Sequence, residues 1–424
     1  MALLTDHPLR YALANELHAR PFPNVAAPAQ AAYVAMTPAA SKDGSADRAQ
    51  LIALLDRYGA PHPPPEATHY SGQIGQHQIK WERHTEFVTY SVFCEGEAKH
   101  PFDGAAFSVF PADWLKSCEG QCITSVLIDI SVQKGDSGLS DIAKSHFVAE
   151  SLALSRMLED DVVSAADFRI DPAGHTRLAV FARPTTGSQR IGRVIQRLCE
   201  IETYKAVAML GFAMARQMSP ELSHIEARLG QLVASIKDPE IDAEGTLDQL
   251  LGVSAELADL SAISSYRFGA TRAYDHIVSQ RIDILREAQF EGHQTFAEFM
   301  MRRFEPAMRT VKSTADQLES LTKRAARAGD LLRTQVDVER STQNRDLLES
   351  MDRRADMQLR LQQTVEGLSV VAISYYAVNL LMYLLGPVQV VAGLSKYTTA
   401  AIVTPMVLVT VWLMVRRIRQ KLGH

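Results

Sequence analysis

The sequence predicts an α+β protein with an N-terminal mixed sheet, a helical middle with a long stalk helix, and a C-terminal two-helix transmembrane hairpin. Segments rich in β-branched and aromatic residues, broken by Gly, Pro and Asp, lie between residues 73 and 183. From residue 187 these strand patterns disappear and amphipathic helical spacing replaces them. Two uncharged runs of 19 residues follow near the end of the chain, at 367–385 and 397–415.

Composition and charge exclude several classes of protein. The chain has 424 residues, with 44 Lys and Arg against 49 Asp and Glu, so no basic surplus points to nucleic acid. A mean hydropathy of −0.07 excludes a protein that lies mostly in a membrane. The N-terminus lacks a basic start followed by an apolar run, so we expect no secretory signal, a cytoplasmic bulk and reduced cysteines.

The change of pattern along the chain suggests four regions. We expect an N-terminal α+β cytoplasmic domain at 1–186, a helical middle at 187–268, a long helical stalk at 269–366, and a transmembrane hairpin with a basic tail at 367–424. Gly292 and Pro306 leave open whether the stalk is one continuous helix.

A row of apolar residues in the stalk predicts a coiled coil. Their alternating spacing of three and four residues is typical of helices that pack side by side: Leu318, Leu321, Ala325, Ala328 and Leu332. Gln335 and Glu339 then interrupt the row. We therefore expect a stalk within a homo-oligomer instead of a long free zipper.

The strand around Trp81 carries a polar run. Alternation places Trp81 and Arg83 on one face of the strand, and Glu82 and His84 on the other. We expect the second face to be solvated.

A basic stripe accompanies the first amphipathic helix of the middle region. Arg190, Arg193 and Arg197 lie beside its apolar face. We expect them to be solvated or paired with Glu200 and Glu202, and contact with anionic lipid headgroups is the alternative.

The flanks of the two uncharged runs predict their orientation. Each run is just long enough to span a bilayer, and no other apolar sequence is left to cover the pair. Basic residues precede the first run and follow the second: Arg353, Arg354, Arg360, Arg416, Arg417, Arg419 and Lys421. Because basic flanks stay in the cytoplasm, we expect two spans in a bacterial inner membrane with both termini cytoplasmic.

The first span is more polar than an anchor requires. Ser374, Tyr375, Tyr376 and Asn379 lie within it. A buried amide in lipid needs a hydrogen-bonding partner, so we expect this face to pack on the second span or on a neighbouring subunit. A face that lines a pore is the alternative.

The N-terminal arm holds the candidate ligand-binding residues. They are polar and close together in sequence: His7, Arg10, Glu16, His18 and Arg20. The arginines suit an anionic group, whereas Glu16 and His18 are two residues apart and would point to different faces of a helix. We assign no catalytic residue, metal site or cofactor, because no sequence motif names a reaction.

Two segments carry a family resemblance, "HPLRYALANELHARP" at 7–21 and "QNRDLLESMDRRADMQLRLQQTVEGLSVVAISYY" at 343–376. They resemble a bacterial family of predicted membrane-anchored proteins, domain of unknown function 3422, over nearly the whole chain. The resemblance implies an anchor and supplies no catalytic residue.

A second resemblance is one of layout only. A cytoplasmic α+β domain, a stalk that enters the first span, a short loop, a second span and a basic tail resemble CorA-type divalent-cation channels. Those channels carry Gly-Met-Asn at the outer end of their first span, where this chain has "YLLGPVQ". A shared layout alone does not establish a shared function.

The expected function is that of a membrane-anchored scaffold or assembly module that self-associates through its stalk and spans. Its expected partners are the lipid bilayer and further copies of the chain, and not nucleic acid. A CorA-like ion transport protein with the first span lining a pore is the alternative. A membrane-tethered enzyme that acts from the N-terminal domain is the second alternative.

Overall fold

A computed structural model describes residues 6–16, 21–39, 41, 43–97, 99–236, 238, 242–387 and 395–422. The chain divides into two compact units, each described by itself. The first unit comprises Met1–Ile241 and Asp248–Gly329, and the second comprises Asp242–Leu247 and Asp330–His424.

The first unit is built on a mixed sheet, as the sequence predicts. Its strands, in chain order, are β1 (Ala29–Met36), β2 (His69–Ile74), β3 (His77–Arg83), β4 (Val88–Glu95), β5 (Cys122–Val132), β6 (Ala153–Met157), β7 (Val162–Ile170), β8 (Thr176–Ala182) and β9 (Ala288–Gln289). Within the described residues they form one nine-stranded sheet in the order β2-β3-β4-β1-β5-β8-β7-β6-β9. The pairing of β5 with β8 is parallel and the other pairs are antiparallel.

Helices alternate with the strands up to residue 182 and predominate in the chain after it. They are α1 (Arg10–Glu16), α2 (Ser45–Arg57), α3 (Ala112–Ser117), α4 (Leu139–His146), α5 (Ser188–Ser235), α6 (Ala243–Leu285), α7 (Phe296–Arg303), α8 (Glu305–Leu384) and α9 (Lys396–Leu422). The fold class is therefore α+β, with the strands concentrated in the N-terminal part as predicted.

One face of the sheet is covered by α2 and α3. Alternate residues of the strands point to this face, and Trp81 of β3 is fully buried there. Trp114 of α3 stacks on Phe110 at 5.8 Å between ring centroids, and its indole N–H donates to the carbonyl oxygen of Gln50 at 2.9 Å. This large apolar cluster holds α2 and α3 against the sheet, because each buried aromatic side chain removes a large apolar area from water.

The edge strand β9 closes the other end of the sheet. Its residues pair with β6 in the register Ser155–Gln289, and the sequence analysis did not predict this strand. The next residue, Phe290, is fully buried in a second apolar cluster with residues of β6, β7 and β8. The sheet is therefore completed by a segment that follows α5 and α6 in the chain.

The structure answers the question left open for the stalk. The chain leaves helical conformation after Leu285, and Gly292 adopts a φ of +75° in the turn before α7. Pro306 lies in the first turn of α8, where its missing N–H would have no helical partner. From Glu305 to Leu384, α8 then runs for 80 residues without a break.

Long helices pack on one another within the first unit. A Cβ atom added to Gly211 of α5 would lie 2.1 Å from the hydroxyl oxygen of Thr271 in α6, so the glycine permits close approach. The part of the predicted coiled-coil row that lies in this unit is buried, from Leu318 at 6% exposed to Ala328 at 4%. These residues are core residues of the chain itself.

Candidate functional site

The N-terminal arm is described in part. The side chain of Arg10 forms a salt bridge with Asp6, and the Leu9 N–H donates to His7 Nδ1 at 3.2 Å. Glu16 ends α1, but its side chain lies outside the description, as do His18 and Arg20. Ligand binding by the arm therefore stays a prediction.

Beyond these residues the arm lies against α5. The Val25 N–H donates to the carbonyl oxygen of Ser188 at 3.2 Å, and Val25 is buried. A Cβ atom at Gly192 would lie 1.7 Å from the carbonyl oxygen of Pro23. The absence of a side chain at Gly192 therefore lets the arm sit directly on the helix.

Replacing Gly192 with Ala is expected to displace the arm. The added methyl group would overlap the carbonyl oxygen of Pro23, and backbone cannot move aside as a flexible side chain can. We expect amide hydrogen exchange at Val25 to accelerate by about tenfold or more. Gly230→Ala in the same helix is the matched control, because no atom lies within 4 Å of its added Cβ. Equal exchange at Val25 in both variants would contradict this account.

The arm forms one wall of a cavity of about 340 Å³ on the second face of the sheet. The other walls come from β1, β3 and β4 and from α5, with Arg281 of α6 at one side. Phe22 and Pro23 are the lining residues contributed by the arm. A volume above about 300 Å³ lies within the range of small-molecule sites.

A series of polar contacts joins residues that line this cavity. The Lys80 ammonium lies 3.1 Å from the carboxylate of Glu82 and donates to Oε1 of Gln196 at 2.8 Å. The amide of Gln196 donates to Glu200 at 2.8 Å, and Arg281 forms a salt bridge with the same carboxylate. The contacts therefore link a strand to two helices.

The face of β3 that carries Glu82 is buried, whereas the sequence predicts a solvated face. The side chains of Lys80 and Glu82 are only 7% and 13% exposed, so this face is not solvated. Alternation along the strand gives the correct face for Glu82, but α5 covers that face. The covering helix is distant in sequence, since Gln196 lies 116 residues after Lys80.

The predicted basic stripe is divided by the fold. Arg190 forms a salt bridge of 2.6 Å with Asp161, while Glu200 and Glu202 bind Arg281 and Lys205 instead of the stripe. Within the part of the chain that the structure describes, no salt bridge joins the stripe to these two glutamates, although the charge of Glu200 acts on Arg197.

Arg197 is the member of the stripe that lines the cavity. Among the described residues it forms no salt bridge, and its guanidinium lies 5.9 Å from the ring centroid of Phe22. Burial lowers the pKa of Arg197, and the positive charges of Arg193 and Arg281 lower it further. The carboxylate of Glu200, which pairs with Arg281, acts in the opposite direction and raises the pKa. Since an arginine stays charged at neutral pH, the described lining sets the cations of Lys80, Arg197 and Arg281 against the carboxylates of Glu82 and Glu200.

Two buried polar groups of the cavity, the Cys199 thiol and the Tyr33 hydroxyl, are kept neutral by burial. Thr203 donates to the carbonyl oxygen of Cys199 at 2.9 Å and shares a hydrogen bond of 2.7 Å with the Tyr33 hydroxyl. Burial raises the pKa of the Cys199 thiol and of the Tyr33 hydroxyl. Because a thiolate is the reactive form of cysteine, Cys199 is a structural thiol. The described residues also contain no cluster of three or more His, Cys, Asp and Glu side chains suited to a metal.

The second unit contains two helices that are long and apolar enough to span a membrane, in α8 and α9. Ser374 of α8 is 4% exposed and Val407 of α9 is 6% exposed. Other residues of the chain therefore cover both side chains.

Asn379 and Tyr375 are not covered in this way. Both residues are exposed in the single chain. Five residues separate Asn379 from Ser374, which corresponds to about 140° around the helix. The three predicted residues are therefore not on one face: Ser374 packs inside the chain, whereas Tyr375 and Asn379 do not.

A row of exposed residues, named here the α8 seam, includes these two positions. It keeps the alternating spacing of three and four residues over both the charged and the apolar part of α8. Its members are Leu347, Met351, Arg354, Gln358, Leu361, Val365, Leu368, Ala372, Tyr375 and Asn379. The row predicted from the sequence is a different one, which begins at Leu318 and is buried within the chain.

The class of protein is set by two features: an α+β unit with a partly enclosed cavity, and two helices that are long and apolar enough to span a membrane. The profile of a family described as Protein of unknown function (DUF3422) matches residues 5–422. The chain belongs to this family, in agreement with the resemblance carried by its arm and stalk. No curated protein and no solved structure matches the chain.

Proposed function

We propose that the protein is a membrane-anchored assembly module that self-associates through the α8 seam. Its bulk faces the cytoplasm, and α8 and α9 cross a bacterial inner membrane as a hairpin. The observation that carries the proposal is the α8 seam, which is exposed throughout and continues from the charged part of α8 into its apolar part.

The surfaces and flanks of α8 and α9 support the membrane anchor. In the most apolar window of each helix only 6% and 22% of the residues are buried. Core helices of a water-soluble protein would bury most of such a surface. The basic residues before the first apolar run and after the second support an orientation with both ends on the cytoplasmic side.

The geometry of α8 supports a second copy as the occupant of the seam. Along the apolar run the seam residues are exposed, so no described residue of the same chain covers them. Asn379 lies in the seam, where an amide in lipid is satisfied by a partner helix. Arg354 and Gln358 supply polar positions of the kind that set register in helical bundles.

The mass of the full-length protein in mild detergent tests this proposal. We expect the protein mass of two or more chains of 46.8 kDa. In Leu361→Glu we expect the association to be weaker by about tenfold or more, because the substitution would bury a charge in the seam. Leu359→Glu is the matched control, since Leu359 and Leu361 are 60% and 65% exposed but only Leu361 is in the seam. A monomeric wild-type protein, or equal loss in both variants, would overturn the proposal.

The same measurement addresses CorA-like transport as the second candidate. Asn379 favours it, because this amide is exposed in the apolar run and not packed on α9. A pore lined by one helix per chain requires a ring of several copies. A ring-sized mass would therefore favour transport, whereas a dimer would exclude a pore of this kind.

A further inference from the structure

We propose that the cavity between the sheet and α5 binds a small organic anion with a single negative charge. Its carboxylate would pair with Arg197, and its apolar body would lie against the arm and the strands. The proposal concerns the α+β unit alone and does not depend on self-association.

The charges that line the cavity call for one negative charge. Lys80 is compensated by Glu82, and Arg281 is compensated by Glu200. Arg197 forms no salt bridge among the described residues, and Glu200, whose charge also acts on it, already pairs with Arg281. An unpaired guanidinium that is partly removed from water is costly, and an anion in the cavity would remove that cost.

The shape of the guanidinium and the lining select the class of anion. Arginine offers parallel N–H donors that match the two oxygens of a carboxylate. Apolar side chains face the same space, including Phe22, Phe87, Phe93 and Ile195. Inorganic ions would leave these surfaces uncovered, so a carboxylate on an apolar or aromatic body fits better than phosphate or chloride.

The arm places an aromatic wall beside the cation. Phe22 lies over Arg197 and belongs to neither a helix nor a strand. The neighbouring contact between Pro23 and Gly192 holds this wall to α5. A ligand seated between Phe22 and the sheet would therefore contact both the cation and the arm.

Thermal stability of the full-length protein in mild detergent provides the test, with sodium benzoate as the probe. We expect a saturable rise in Tm with benzoate, and none with benzamide, which has the same ring but no charge. Arg197→Gln should weaken benzoate binding by about tenfold or more, because the paired cation is lost.

The matched control is Arg190→Gln in the same helix, whose side chain pairs with Asp161 outside the cavity. It should bind benzoate as the wild type does. Comparison of the unliganded variants by circular dichroism separates loss of binding from loss of fold. No saturable shift with benzoate, an equal shift with benzamide, a response to inorganic phosphate instead of benzoate, or unchanged binding in folded Arg197→Gln would each overturn the proposal.

Discussion

Removal of residues 367–424 is expected to transfer the protein from the membrane fraction to the soluble fraction. The deletion removes the apolar part of α8 and all of α9, while every strand of the sheet and helices α1 to α7 stay in the chain. About 20 apolar residues are needed for a span, and the remaining chain has no described helix that meets this requirement. Membrane flotation of the two proteins, followed by detection in each fraction, measures the effect.

Deletion of residues 395–424 alone is the matched control. It removes α9 but keeps the first apolar run, so we expect this variant to stay in the membrane fraction. Membrane binding by the longer deletion in a salt-resistant form would show that the anchor lies elsewhere. Salt sensitivity would indicate surface attachment through charge, which salt screens.

Trp114→Ala is expected to lower the free energy of unfolding of the α+β unit by about 3–5 kcal/mol. The side chain is 1% exposed and lies within 5.2 Å of Tyr90 and 5.8 Å of Phe110, measured between ring centroids. Its loss leaves a cavity under α3 and also removes the hydrogen bond to Gln50. Denaturant unfolding of the chain without residues 367–424, followed by far-UV circular dichroism, measures the change.

Trp114→Phe separates the two contributions. It keeps an aromatic ring in the cluster and loses the indole N–H, so we expect a smaller loss than in Trp114→Ala. A loss below about 1 kcal/mol in Trp114→Ala would mean that α3 is not held by this cluster.

Local patterns in the sequence were enough for much of the fold. The strands between residues 73 and 183 and the helices after residue 187 were predicted because β-branched runs and amphipathic spacing are properties of short segments. The break at Gly292 was left open, since a glycine in a helical pattern can be tolerated or can end the helix. The strand β9 was missed because a two-residue strand carries no periodicity.

The cavity could not be predicted, because its residues come from distant parts of the chain. The Lys80–Gln196 contact joins residues 116 apart, and a strand's alternation does not say what covers each face. The same limit applied to Arg197, whose surroundings depend on the arm and on α6. In α8, spacing alone could not separate the row that the chain buries, at Leu318, from the exposed row at Leu361.

The position of β9 in the chain has a consequence for synthesis. The sheet lacks its last strand until Gln289 has been made, and the first apolar run begins 78 residues later at Gly367. At about 5–20 residues per second, the ribosome takes roughly 4–16 seconds over that interval. The nascent chain can therefore complete its sheet before the apolar run emerges, which limits the time that unpaired strand edges and apolar helices are exposed together.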